Sequence, residues 1–366
     1  METGPQLKRN CSMGASKKDR AKEATTYQAV LFKSIERFSA FQKKLTEYPV
    51  DTTILDFEEH EWVDFDYRNI DFLIYYPSFK YSSHHPLALQ EVYDNLMFIR
   101  AEYPHVKIFP DPNGIKYYND KYRQYLFLRK HGYPVPETIP LFSEKSVDLA
   151  DQKLGYPMVI KNRYGAGGDS VFKANNKDEL IKYYRLSTLN LFNLTSAKYF
   201  WNMLSERIFY YHLIKAKKSN YPFLSPPILA QKFLKIDRDL KTVVGNHKVV
   251  EAHWRFQADE SMWKMNIDGG GTGVWSYVPE EALDISIRLA KDLNTMWLNL
   301  DLIMSEGKFF ITEFSPVWHH YAYKEKPSFV YKDDYNIDIP LEISLDLERI
   351  IVESLIDAVK KEKQGE

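Results

Sequence analysis

A single cysteine, Cys11, in 366 residues excludes an internal disulfide framework and a cysteine metal cluster, and suits a reducing, cytoplasmic setting. No apolar run reaches membrane-spanning length and no hydrophobic segment of signal-peptide type opens the chain, so no membrane partner is expected. An excess of either charge is also missing. The 49 Lys and Arg residues nearly cancel the 50 Asp and Glu, which removes the bulk field that would draw the surface to nucleic acid. Aromatic residues, by contrast, are plentiful: 26 Tyr, 22 Phe and 7 Trp make up 15% of the chain, and most should serve core and interface packing. The remaining composition, 44% apolar and 27% charged, is that of a globular chain long enough for two or three packed units.

Residues 1–24 are polar and locally basic and read as a disordered tail. From Thr25 the pattern alternates between strand and helix. Apolar runs at Tyr27–Phe32, Thr52–Phe57, Ile70–Tyr76 and Val106–Phe109 are separated by helical spacing over Ser34–Glu47 and Leu87–Tyr103. Such an order predicts a small parallel sheet with helices on both faces in an N-terminal domain, 25–117. Pro110, Pro112 and Gly114 mark its end, and a helix over Asn119–His131 follows, with Lys121 in its first turn and Gly132 closing it.

The stretch Tyr156–Phe172, YPMVIKNRYGAGGDSVF, delivers Lys161 at the end of an apolar strand into a glycine loop. Glycine lets backbone N–H groups approach an oxyanion closely, so Gly165, Gly167, Gly168 and Ser170 with Lys161 could cradle a phosphate. On these residues alone a plain hairpin with a glycine turn fits equally well. An aromatic helix over Ser196–Lys217 must pack on its own domain or on a second subunit, which leaves a homo-oligomer open. A strand at Pro226–Leu234 and a hairpin turning at Gly245–His247 come next, the latter running out through Trp254 and Arg255. Pro279 is expected at the first position of a helix reaching Leu293.

Within 297–316, Asp301 and Glu313 lie six residues to either side of Gly307. A hairpin centred there sets the two carboxylates face to face, Cβ atoms roughly 5 Å apart. They would repel and titrate high unless a cation bridged them. Two hard oxygen donors with no His or Cys beside them suit Mg2+, while the alternative is that one points to solvent or pairs with a lysine such as Lys308. Past this hairpin the chain ends in an amphipathic helix with Leu347, Ile351, Leu355 and Val359 on one face, which could dock on the N-terminal domain or a second subunit.

Taken together, the order of features from Tyr27 to Pro316, with its strongest motifs from Asn119 onward, resembles the ATP-grasp superfamily, and within it the RimK-like and glutathione-synthetase-like carboxylate-amine ligases. The resemblance implies a mixed α/β fold: the ATP-grasp fold preceded by the parallel-sheet domain. It divides the chain into a small subdomain, 118–234, with the glycine loop, a subdomain 235–323 with the metal hairpin, and a C-terminal extension, 324–366. It makes Lys121 and Lys161 the two nucleotide lysines, and Gln231, Lys232, Phe233 and Leu234 the hinge strand that meets adenine. It places Asp239 and Lys241 near ribose, metal or phosphate, and Arg255 on the transferred phosphate, so that Arg255 and Lys161 carry the catalysis. Asp301, Glu313 and Ser315 become the ligands of one or two Mg2+ ions. Ser315 stands where the family usually has asparagine, and Lys241 where it has arginine. The implied reaction joins a carboxylate to the amine of an amino acid or peptide through an acylphosphate, releasing ADP and phosphate. A small-molecule kinase and a nucleotide-binding protein without turnover are the alternatives.

Overall fold

The computed structural model describes residues 26–34, 37–77, 86–164, 171–188, 201, 228–236, 238–256, 272–274, 276–317, 328–331, 337–341 and 346–365. The glycine loop, the 1–24 tail and, apart from Trp201, the expected aromatic helix at 196–217 lie outside the described residues.

Strands β1 (Tyr27–Phe32), β2 (Val50–Leu55), β3 (Phe72–Ile74) and β4 (Lys107–Phe109) form the first sheet, in the order β2-β1-β3-β4 with every pair parallel. The near-continuous apolar reading of β1 and β3 arises because both faces are covered. Ala29 and Leu31 join a cluster with Phe41 and Leu45, while Val30 and Phe32 face Leu96 and Ile99 of the helix Pro86–Glu102 on the other side. The third strand is three residues long, shorter than the apolar run suggests, and is preceded by a 3-10 turn, Tyr67–Asn69, capped by the Asp66 side chain.

Strands β5 (Thr138–Leu141), β6 (Met158–Asn162), β7 (Val171–Ala174) and β8 (Ile228–Lys232) make the second sheet in the order β5-β8-β6-β7. β5 and the helix Glu144–Leu154 after it have no counterpart in the sequence reading. Pro140 disguises β5, yet proline is tolerated here because β5 is an edge strand. The helix is introduced by a reciprocal Ser143–Ser146 cap and buries Val147, Ala150 and Leu154.

The third sheet contains β9 (Arg238–Gly245), β10 (Lys248–Phe256), β11 (Thr272–Val274), β12 (Trp297–Ser305) and β13 (Lys308–Ser315), ordered β11-β10-β9-β12-β13. Both of its tight turns are two residues long with positive φ throughout: Asn246 and His247 at 50° and 60°, Glu306 and Gly307 at 52° and 72°. These mirror-image turns match the twist of the strands that they join. One face carries Leu240, Val244, Leu298 and Leu300 onto the helix Glu280–Asp292. Pro279 is the residue before that helix's first turn, with an extended ψ of 141°, rather than its first helical residue. A small hairpin, β14 (Ser328–Tyr331) and β15 (Ile337–Leu341), completes the strands.

The C-terminal helix, Leu347–Gln364, docks on the N-terminal sheet. Ile351, Val352, Leu355 and Val359 pack with Tyr27, Ala29, Phe72 and Ile74, each burial contributing roughly 1.5–3 kcal/mol before entropy. Val243, Val250 and Trp297 belong to the same cluster, so this helix also braces the third sheet.

Candidate functional site

The helix Lys121–Lys130 is fixed at both ends of its functional face. Its N-cap, Asp120, accepts from the Arg123 N–H and takes a two-pronged contact from Arg163, Nε to Oδ1 at 2.8 Å and Nη2 to Oδ2 at 2.7 Å. The Arg163 carbonyl in turn accepts from the Lys121 N–H at 3.0 Å. Arg163 therefore ties the end of β6, and with it Lys161, to the helix that carries Lys121. Gln124 fastens the same helix to β13, donating to the Phe314 carbonyl at 2.8 Å and accepting from the Phe314 N–H at 3.2 Å. Neither Arg163 nor Gln124 stands out in the sequence, because their partners, the Asp120 carboxylate and the Phe314 backbone, are distant along the chain.

Lys121 and Lys161 are both buried. The Lys161 Nζ donates to the Gln231 Oε1 at 3.0 Å, and Gln231 is held by the Thr138 hydroxyl at 2.8 Å. The Lys121 Nζ lies 3.8 Å from the Glu313 carboxylate. Burial, and then the charge of Lys121, push the Lys161 ammonium down to about 8, with Glu313 opposing. Two cations held out of water side by side are costly unless a polyanion arrives. Folding favours neutral Lys161, so stability rises with pH between about 8 and the ordinary lysine value, whereas phosphate binding favours the charged form. ATP affinity is expected to fall as pH rises through about 8. Lys161→Met should weaken ATP binding by about 1.5–3 kcal/mol and abolish that pH limb, as measured by calorimetric titration between pH 6.5 and 9.5.

These lysines open on a cleft of about 200 Å³ between the second and third sheets. Gln231, Lys232, Phe233 and Leu234 line it from the end of β8, and Glu313 and Thr312 from β13. Val159, Val171, Ile236 and Ile303 give it apolar walls suited to a flat base. The Lys232 N–H already donates to the Glu137 carbonyl at 2.8 Å, which removes it as a contact to adenine. A wider depression of about 540 Å³, bordered by Lys116, Arg123, Lys130 and His131, contains none of the residues expected in the site.

Asp301 pairs with Glu313 across β12 and β13, but not by simple counting from Gly307. The two-residue turn pairs Ser305 with Lys308 and Leu302 with Ile311, which would set Asp301 opposite Thr312. A bulge between Asp301 and Leu302 takes up the extra residue, and the Thr312 hydroxyl donates to the Asp301 carbonyl at 3.0 Å. The bulge reverses the alternation of β13: Ile311 lies in the cluster under the helix Glu280–Asp292, and Glu313 comes out on the opposite face.

That face carries a row of charge. The Arg255 Nη2 donates to Asp239 at 2.7 and 2.8 Å and to Asp301 at 3.0 Å, and the Lys241 Nζ reaches Asp301 at 3.3 Å. Burial raises Asp301, yet Arg255 and Lys241 outweigh it and hold the carboxyl below its ordinary value. The mutual repulsion expected of the two hairpin carboxylates is thus answered by side-chain cations. Burial instead pushes Asp239 up, with Arg255 offsetting only part of the rise. Glu251 and His253 continue the row on β10, fully buried and 3.2 Å apart, and burial lowers the imidazole. Reading the alternation of β10 back from Arg255 would have found both. Trp254 points the other way, into the core. Gly165, Gly167, Gly168 and Ser170 lie outside the described residues. Ser315 turns its hydroxyl to its own chain, donating to the Val317 carbonyl at 2.7 Å and accepting from the Val317 N–H at 3.2 Å.

Among the described residues no three His, Cys, Asp or Glu side chains gather as a self-sufficient metal cage. The pair of facing carboxylates fits Mg2+ all the same, since that ion takes one or two protein carboxylates and completes its shell with water and substrate phosphates.

A family model for the ATP-grasp domain matches residues 118–188, the stretch holding both lysines. The structure of ATP-grasp ligase PsnB complexed with a minimal precursor superposes with a TM-score of 0.55 at 13% identity, covering 91% of this chain and 99% of that one. Residues 118–188 match an ATP-grasp domain, and the chain as a whole shares its fold with an ATP-grasp ligase. N-acetylaspartylglutamate synthase A of Homo sapiens is 28% identical to this chain over 210 residues, 55% of this chain and 44% of that protein. β-Citrylglutamate synthase B of Mus musculus is 27% identical over 209 residues, again 55% of this chain and 44% of the relative. The chain thus spans less than half the length of these curated relatives. PsnB is also known complexed with Mg and ADP, a structure that matches this chain at a TM-score of 0.54. Among the described residues, no helix is long and apolar enough to cross a membrane.

Proposed function

We propose that this protein is an ATP-grasp ligase that joins a carboxylate to the amine of an amino acid or peptide, acting in the cytoplasm. The observation that carries the reading is the single cleft shared by Lys121, Lys161, the end of β8 and Glu313, which sets phosphate-binding cations beside a carboxylate hairpin. A carboxylate oxygen of the acid attacks the γ-phosphorus of ATP, and ADP leaves with the electrons of the broken P–O bond. The amine nitrogen then attacks the acyl carbon of the acylphosphate, phosphate departs, and the nitrogen gives up its proton. Lys121 and Lys161 neutralise the phosphates, and Arg255, oriented by Asp239, meets the oxygens on which charge develops. Asp301 and Glu313 would hold one or two Mg2+ ions, which supply further neutralisation of the phosphate oxygens. The apolar walls exclude water, which would hydrolyse an acylphosphate.

ADP release screened against pools of acids and amino acids tests this directly. It should appear only when an acid and an amine are both present. AMP in place of ADP, or a stable phosphorylated product from one substrate alone, would replace the ligase reading, the latter with a kinase.

A further inference from the structure

Directly opposite Ser315 on β12 stands Asn299, one step along the same face from the Asp301–Glu313 pair. Cross-strand partners of this kind have Cβ atoms roughly 5 Å apart, and residues two apart along a strand are roughly 7 Å apart. Asn299, Asp301, Glu313 and Ser315 are therefore the four corners of one patch. Of these, Ser315 has committed its hydroxyl to the backbone of Val317. The Asn299 Oδ1 is shut off from solvent and accepts no hydrogen bond among the described residues. A buried amide oxygen left without a donor costs about 1–3 kcal/mol, and a charge or donor must arrive to recover it. The row containing Asn299 is bounded on one side by Trp297 and Val317, where the Trp297 indole N–H is itself unpartnered among the described residues and makes no hydrogen bond to the amide, and on the other side by the two carboxylates.

We propose that Asn299 is a ligand of the ion held by Asp301 and Glu313, its amide oxygen supplying the donor that Ser315 withholds. An amide oxygen is a hard, neutral donor of the kind that Mg2+ and Mn2+ accept, and it adds no repulsion to a site already holding two carboxylates. The assignment rests on the nucleotide-metal reading of the hairpin given above.

Mn2+ is titrated into the intact protein saturated with ADP, with free ion followed by electron paramagnetic resonance, a readout that needs no turnover. Asn299→Ala should weaken Mn2+ binding by about tenfold or more while leaving ADP affinity in EDTA at its wild-type value. Adding Ser315→Asn to that variant places an amide at the facing corner and should restore most of the loss, and Asn299→Asp should bind Mn2+ at least as tightly as wild type. These two variants also carry the test if the alanine variant unfolds. An Asn299→Ala protein that binds Mn2+ like wild type overturns the assignment and leaves the carboxylate site standing. Wild-type protein that binds ADP but no Mn2+ overturns the metal reading of the hairpin, and this assignment with it.

Discussion

Arg255→Met is expected to abolish ADP release and to lower the unfolding free energy by about 3 kcal/mol, read as a shift of the urea midpoint at neutral pH. One guanidinium nitrogen serves both oxygens of Asp239 and one of Asp301, and Asp239 is the more buried of the two. Removing the cation strands a carboxylate in a place where burial already pushes its titration upward. The pH dependence follows. A carboxyl whose folded value is raised binds more protons folded than unfolded, so its stability contribution grows as pH falls. The variant should regain stability on acidification over a wider range than wild type does. Combining Arg255→Met with Asp239→Asn should recover most of the stability and none of the turnover. A single variant that unfolds at the wild-type midpoint would show that the guanidinium does not hold this cluster together.

Deleting Thr312 should be mild by comparison. Without the bulge residue, β13 would alternate without interruption from Ile311 through Glu313 to Phe314, which keeps Ile311 and Phe314 in the cluster under the helix Glu280–Asp292 and sets Glu313 directly opposite Asp301. What is lost is the Thr312 hydroxyl contact to the Asp301 carbonyl, about 1 kcal/mol, and the local bend that the bulge gives the strand. Activity should be retained and thermal unfolding should move only slightly. Thr312→Ala, which keeps the residue count and loses only the hydroxyl contact to the Asp301 carbonyl, should cost about 1 kcal/mol and retain the bulge. A deletion variant that loses activity where Thr312→Ala keeps it would show that the bend of the bulge, and not the face alone, positions Glu313.

Local chemistry determined much of this protein before any tertiary contact was considered. The parallel N-terminal sheet follows from buried apolar runs alternating with helices, since a strand covered on both faces has no polar alternation to display. Asn246, His247 and Gly307 are legible as turn residues because positive φ is least costly for glycine and comparatively cheap for asparagine and histidine. Lys121 and Lys161 are legible by their positions at a helix start and a strand end, and the structure brings both to one cleft. Only the tertiary structure decided the remainder. The expected pairing of Asp301 with Glu313 holds, but through a bulge that a count from Gly307 does not contain, because register depends on hydrogen bonds between strands and not on distance along one of them. The C-terminal helix could have met a second subunit from its amphipathic pattern alone, and its choice of the N-terminal sheet lies in Tyr27, Phe72 and Ile74, remote in sequence. Ser315 has the right type and spacing for an oxygen ligand, yet its hydroxyl goes to Val317, while the unsatisfied Asn299 oxygen lies on the facing strand. Residue type and spacing set which side chains can offer oxygen or charge, and the packing of distant strands sets which of those offers is already taken.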